Sequence, residues 1–136
     1  MTNKRPINPT ELPDPSGFAH AWLVETASGR TLYLAGQCAH DRDGHILGGG
    51  DLVAQMGQAL HNLRVVLREA GMEFADVVQL NLYVRSRDDY ALARREFARI
   101  WRDHCGKHYP AMAMFMVSSL YDSDALIEIQ GIAVGD

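Results

Sequence analysis

Residues 111–117 read AlaMetAlaMetPheMetVal, apolar at every position and with methionine at each second place. A β-strand sends successive side chains to opposite faces, so Met112, Met114 and Met116 share one face and Ala111, Ala113 and Phe115 the other. Both faces of this segment are therefore apolar. Much of ThrLeuTyrLeuAlaGly (31–36) is apolar on both faces as well. Strands of this kind need cover on two sides, because an antiparallel strand that meets water on one side alternates with polar residues.

The rest of the chain supplies cover for one side only. PheAlaHisAlaTrpLeuValGlu (18–25) and residues 31–36 alternate well enough to form a hairpin around a turn at 27–30. ValValGlnLeuAsnLeuTyrVal (77–84), residues 111–118 and AlaLeuIleGluIleGlnGlyIleAlaVal (125–134) read as three further strands. Leu52, Met56, Leu60, Leu63 and Leu67 recur at helical spacing between Asp51 and Ala70. Asp51 suits the N-cap and Gly71 the left-handed position after the last turn. A second helix is expected over Asp88 to Cys105, with Tyr90, Ala93, Phe97, Ile100, Trp101 and His104 on its buried side and Gly106 past its end. The order β-β-α-β-α-β-β defines an α+β domain. Two helices cover one face of such a sheet. The other face is expected to be covered by further subunits, since an apolar face of that extent is a liability in a monomer.

A length of 136 residues fits one domain with a core that needs no staples. Residues 1–17 carry four of the five prolines and read as an extended N-terminal arm, which leaves 18–136 as the domain. Thirteen basic residues against 17 acidic ones give a formal net charge of −4. No broad basic field is present, which argues against nucleic acid or an anionic membrane surface as a partner. The two cysteines, Cys38 and Cys105, form no disulfide framework. No apolar leader or membrane-spanning stretch is present, so a cytoplasmic location is expected.

Several clusters have chemical potential. CysAlaHisAspArgAspGlyHis (38–45) gathers metal-ligand types, but its spacing matches no zinc pattern. As a calcium loop it fails too, because the glycine falls at the fourth place and no glutamate closes it. A polar loop is the simpler reading, and no metal is expected. GlyGlyGly (48–50) before a helix lacks the lysine and serine of a phosphate-binding loop. Cys105 sits at a helix C-terminus, where the dipole disfavours a thiolate. Cys38 is better placed, although packing after a buried strand is the simpler account of it. Glu128 differs, because it lies inside an apolar strand between Ile127 and Ile129. A carboxylate there pairs with a cation, protonates, or meets water in a pocket as a general acid/base. Ion pair and function both remain open for it.

LeuAlaGlyGln (34–37), the helix of residues 51–71, strand 77–84, TyrProAla (109–111) and LeuIleGluIleGlnGlyIleAlaVal (126–134) occur in order and at a recognisable spacing. The chain resembles the Rid/YjgF family, also labelled endoribonuclease L-PSP, over nearly its whole length from about residue 16. The resemblance implies a chorismate-mutase-like α+β fold, a homotrimer, and small-molecule pockets between adjacent subunits. It also implies hydrolysis of reactive enamines or imines, such as 2-aminoacrylate, with no cofactor.

The family's active deaminases place an arginine directly after ProAla and a cysteine two residues later. This chain has Met112 and Met114 there. Phe18 stands for an aromatic hydroxyl, Ala35 for a small hydroxyl before GlyGln, and Arg94 for an asparagine on the second helix. The late-strand glutamate is retained as Glu128. The resemblance thus implies a pocket lined by Phe18, Ala35, Gly36, Arg94, Met112 and Met114, with Glu128 as its catalytic residue. Without the arginine fork, an anionic substrate loses its bidentate partner. Poor activity on 2-aminoacrylate is expected, unless Arg94, Arg85 or Arg30 supplies a cation. A metabolite-binding or regulatory trimer without chemistry is the alternative.

Overall fold

The computed structural model describes residues 1–136. Six strands form one sheet: β1 (Asn3–Ile7), β2 (Ala21–Thr26), β3 (Gly29–Gln37), β4 (Val77–Val84), β5 (Ala111–Met116) and β6 (Ile127–Gly135). Their order across the sheet is β1-β2-β3-β6-β4-β5, with every pair antiparallel except β4–β5. The three helices are α1 (Leu52–Glu69), α2 (Arg87–Leu92) and α3 (Arg94–Cys105). α1 and α3 pack on each other, and α1 lies across β3 and β6. The fold is the α+β, chorismate-mutase-like arrangement, a six-stranded mixed sheet with helices on one face.

Local chemistry explains the helix ends. The Asp51 carboxylate accepts from the backbone N–H groups of Val53 and Ala54, two donors with no partner inside the helix. Gly71, at φ 73°, takes the left-handed turn that ends α1. Leu60, Leu63, Val66 and Leu67 are fully buried against Leu32, Leu80, Ile127 and Ile129 of the sheet, within one continuous core. Each such side chain contributes about 1.5–3 kcal/mol through removal from water.

Two expectations need correction. The second helix is broken: Ala93, at φ −100° and ψ 11°, separates α2 from α3. α2 has its own start, where the Ser86 hydroxyl accepts from Asp89 N–H. The N-terminal residues are extended, but they are not a free arm. Asn3–Ile7 pair with Ala21–Glu25 of β2, and Ile7 and Leu12 are buried in the core. The observed order is therefore β-β-β-α-β-α-α-β-β, and the domain begins before residue 18. Pro6 is tolerated because β1 is an edge strand, where one side of the backbone needs no partner.

The face without helices is mixed. It shows Trp22, Tyr33, Phe115 and Val134 to the outside, together with Gln79, Asn81, Tyr83 and Gln130. Tyr83 donates to the Gln130 side chain and stacks on Phe115. β5 closes one side of the sheet. Its methionines pair in register with Leu80, Leu82 and Val84, so they point to the helix side. Met112 and Met116 are nevertheless nearly half exposed (47% and 45%), and only Met114 is partly packed on the core. No helix is long and apolar enough to cross a membrane.

The integration of β1 sets a measurable expectation. Ile7→Ala should lower stability to urea by about 2–5 kcal/mol, the cost of truncating a buried isoleucine. A free arm would show no change.

Candidate active site

The site begins with one extra residue. Along β3, Leu34 pairs with Gly131 and Gln37 with Ile129. Ala35 and Gly36 thus face a single partner position, Gln130, which makes a β-bulge. The bulge reverses the alternation of side chains. Leu32 and Leu34 point into the core, but after it Gln37 and Ala39 do so, and Cys38 turns to the face that carries Glu128.

Glycine at 36 is required by what crosses it. A Cβ there would lie 1.9 Å from Glu128 Oε1 and 2.7 Å from its carboxyl carbon. The carboxylate therefore lies directly over the backbone of the bulge. On its other side the Cys38 thiol donates to Glu128 Oε2 over 3.6 Å. Burial first, and then the charges of Glu128 and Asp122, push the Cys38 thiol far above its ordinary range. Cys38 is thus a neutral donor, not a thiolate nucleophile.

Glu128 forms part of the wall of a cavity of about 660 Å³, with Phe18, His20, Ala35, Gly36, Cys38, His40, Tyr121 and Asp122. Buried amides of α1 hold its loops. Asn62 Nδ2 donates to the carbonyls of Cys38 and His40. Gln55 Nε2 donates to the Gly49 and Asp124 carbonyls, and Gln55 Oε1 accepts from Leu126 N–H, which ties down the loop that carries Asp122. His20 is buried, with one ring nitrogen 2.7 Å from the Pro13 carbonyl and the other 3.0 Å from the Gln37 amide. The Pro13 carbonyl only accepts, so Nε2 carries a proton, and Nδ1 pairs with the Gln37 side chain. His40 is pushed below its ordinary value by burial and by neighbouring His20.

The remaining expected residues lie elsewhere in the chain. Arg94, Met112 and Met114 line a second cavity of about 600 Å³, with Tyr90, Phe97, Trp101 and Tyr109. Within one chain the seven expected residues therefore fall into two cavities. Phe18, Ala35, Gly36 and Glu128 are in one, and Arg94, Met112 and Met114 in the other. Arg30 and Arg85 line neither cavity, and both are engaged by backbone carbonyls. Arg30 donates to the carbonyls of Ala70, Gly71 and Asp136. Arg85 donates to the Ser123 carbonyl.

A match to the family model described as endoribonuclease L-PSP spans residues 16–135. The chain belongs to this family, the Rid/YjgF proteins. Among its relatives, a RutC family protein of Haemophilus influenzae is 32% identical over 84 residues, covering 62% of this chain and 64% of that protein. The human 2-iminobutanoate/2-iminopropanoate deaminase is 27% identical over 132 residues, covering 96% and 90%. The crystal structure of the Escherichia coli YjgF gene product shares the fold, with a TM-score of 0.78 at 23% identity, covering 96% of this chain and 98% of that one.

Sequence reasoning about this family member missed Cys38 as a neighbour of Glu128, along with His20, His40, Tyr121 and Asp122. The signal for Cys38 was Gly36, since a glycine inside a strand marks a bulge or a close approach. The metal-type cluster divides between a surface turn and the cavity wall. Asp41 Oδ1 accepts from the N–H groups of Asp43 and His45, which holds Asp41, Asp43 and His45 together at the surface, while Cys38 and His40 line the cavity.

The thiol–carboxylate contact is testable by alkylation. Cys38 should react slowly with iodoacetamide at neutral pH. Glu128→Gln, which removes a charge that opposes the thiolate, should speed that reaction. An equal rate in both proteins would show that the contact is absent in solution.

Proposed function

We propose that this chain is a Rid-family hydrolase that acts on imine or enamine metabolites, with Glu128 as its acid/base group. The observation that carries this reading is the Glu128 carboxylate, laid across Gly36 in a cavity wall and held by a neutral thiol donor. The imine deaminases among its relatives support the same class of reaction.

The chemistry needs little more. Glu128 accepts a proton from water as the water oxygen bonds to the imine carbon and the C=N π pair moves to nitrogen. The resulting carbinolamine receives a proton at nitrogen from Glu128. The hydroxyl proton of the carbinolamine then passes through the carboxylate to nitrogen as the C–N bond breaks, which releases a carbonyl compound and ammonia and leaves Glu128 ionised. An enamine enters the same route after protonation at its terminal carbon. Proton transfer by a positioned carboxyl group contributes about 10²–10⁴-fold.

We infer that the working assembly is a homotrimer with the pocket completed between subunits. Exposed apolar groups on β5 and on the open sheet face support this reading: Met112, Phe115 and Met116, and Trp22, Tyr33 and Val134. A neighbour seated on β5 would cover this edge strand and bring Arg94, Met112 and Met114 towards a Glu128 cavity. Met112 and Met114 make that wall soft and apolar, suited to a ligand other than a small imino acid. The same apolar wall also supports a second reading, a trimer that binds a metabolite without converting it.

Glu128→Gln should reduce turnover of a responsive imine by about 10²–10⁴-fold while the assembly stays intact by light scattering. Unchanged turnover removes Glu128 from the mechanism, and a mass of one 15.1 kDa chain removes the trimer. With 2-aminoacrylate generated by a coupled dehydratase, keto-acid release should be barely faster than without the protein. Acceleration equal to that of an arginine-bearing relative would refute the altered specificity.

A further inference from the structure

We infer that the Glu128 cavity selects a ligand with a cationic nitrogen, a protonated imine or amine with an otherwise neutral body. This rests on the site proposed above and assigns the charge class of what it takes.

The argument is one of charge balance on the cavity wall. Glu128 and Asp122 contribute two carboxylates, and no lysine or arginine lines the cavity. The histidines do not compensate. His20 spends Nε2–H on the Pro13 carbonyl and pairs Nδ1 with the Gln37 side chain, so neither ring nitrogen is free to meet a ligand. His40 is held towards its neutral form by burial. Cys38 is held neutral in part by the charges of Glu128 and Asp122, so both carboxylates act on the cavity interior. If Arg94 from the other cavity were brought in by a neighbouring subunit, acidic groups would still outnumber basic ones, two to one.

Aromatic groups point to the same ligand class. Phe18 lines the cavity, is more than half exposed (58%), and meets His20 edge-to-face at 5.4 Å between ring centres. An aromatic face next to carboxylates attracts an organic cation both through its quadrupole and through charge. An anionic ligand would meet like charge from both acids in a partly desolvated cavity. For a protonated imine the balance is complete: the iminium and water give a carbonyl compound and an ammonium ion.

The test is calorimetric binding of three probes of matched size to the full-length protein at neutral pH: benzylamine, benzyl alcohol and benzoate. Benzylamine should bind at least tenfold more tightly than benzoate, with benzyl alcohol between them. Glu128→Gln and Asp122→Asn should each weaken benzylamine by about tenfold, the loss of one charge-assisted contact. Asparagine at 122 keeps the Oδ1 that accepts from Asp124 N–H, so the loop has no reason to change. Benzoate binding as tightly as benzylamine overturns the inference, as does absence of benzylamine binding or indifference to both substitutions. The readout needs no turnover. Cation selectivity without imine hydrolysis would sink the catalytic reading alone, and hydrolysis without cation selectivity would sink this inference alone.

Discussion

The carboxylate of Glu128 lies against a backbone that has room for it only because residue 36 has no side chain. A Cβ at 36 would overlap Oε1, and Glu128 would have to leave the cavity wall. The same two residues, Ala35 and Gly36, make the bulge that turns Cys38 towards Glu128 and Gln37 into the core. One inserted position thus sets three things: where the carboxylate sits, what donates to it, and which side chains line the cavity.

The helices hold that arrangement from behind. α1 packs its leucines on the sheet, and it also carries Gln55 and Asn62, both buried and both bonded to loop backbone. Unpaired backbone carbonyls in a buried place are costly, so each amide both satisfies its loop and fixes it. Asn62 holds the segment after β3, with Cys38 and His40, and Gln55 holds the segment before β6, with Asp122. The cavity is therefore framed by loops that the core positions, which is the support that acid/base chemistry requires.

Charge gives the cavity its character. Two carboxylates, a neutral thiol and imidazoles without a lysine or arginine make a site unlike one designed around an anionic substrate. The second cavity, with Met112 and Met114 on its wall and Arg94 beside them, is soft and aromatic. The two cavities arise on different elements of the fold, one on the β3–β6 bulge and one between β5 and α3.

Much of the fold was legible in the residues. Strand 77–84 was read to its ends, α1 was bounded by Asp51 and Gly71, and Glu128 stood out as a carboxylate among isoleucines. These are local signals: period, cap, and a polar group in an apolar run. The break at Ala93 and the pairing of Asn3–Ile7 were not legible, because the first carries no proline or glycine and the second depends on a partner strand remote in sequence. Phe18, Ala35, Gly36 and Glu128 were grouped with Arg94, Met112 and Met114 through family resemblance, whereas one chain separates them into two cavities. The sequence by itself determined most of the elements, the family, and Glu128 as a carboxylate inside an apolar strand. Only the tertiary structure decided that Cys38 faces Glu128 and that His20, His40 and Asp122 surround it. The reason is that a single-residue bulge inverts every side chain after it, and its consequences appear only when the facing strand is in place.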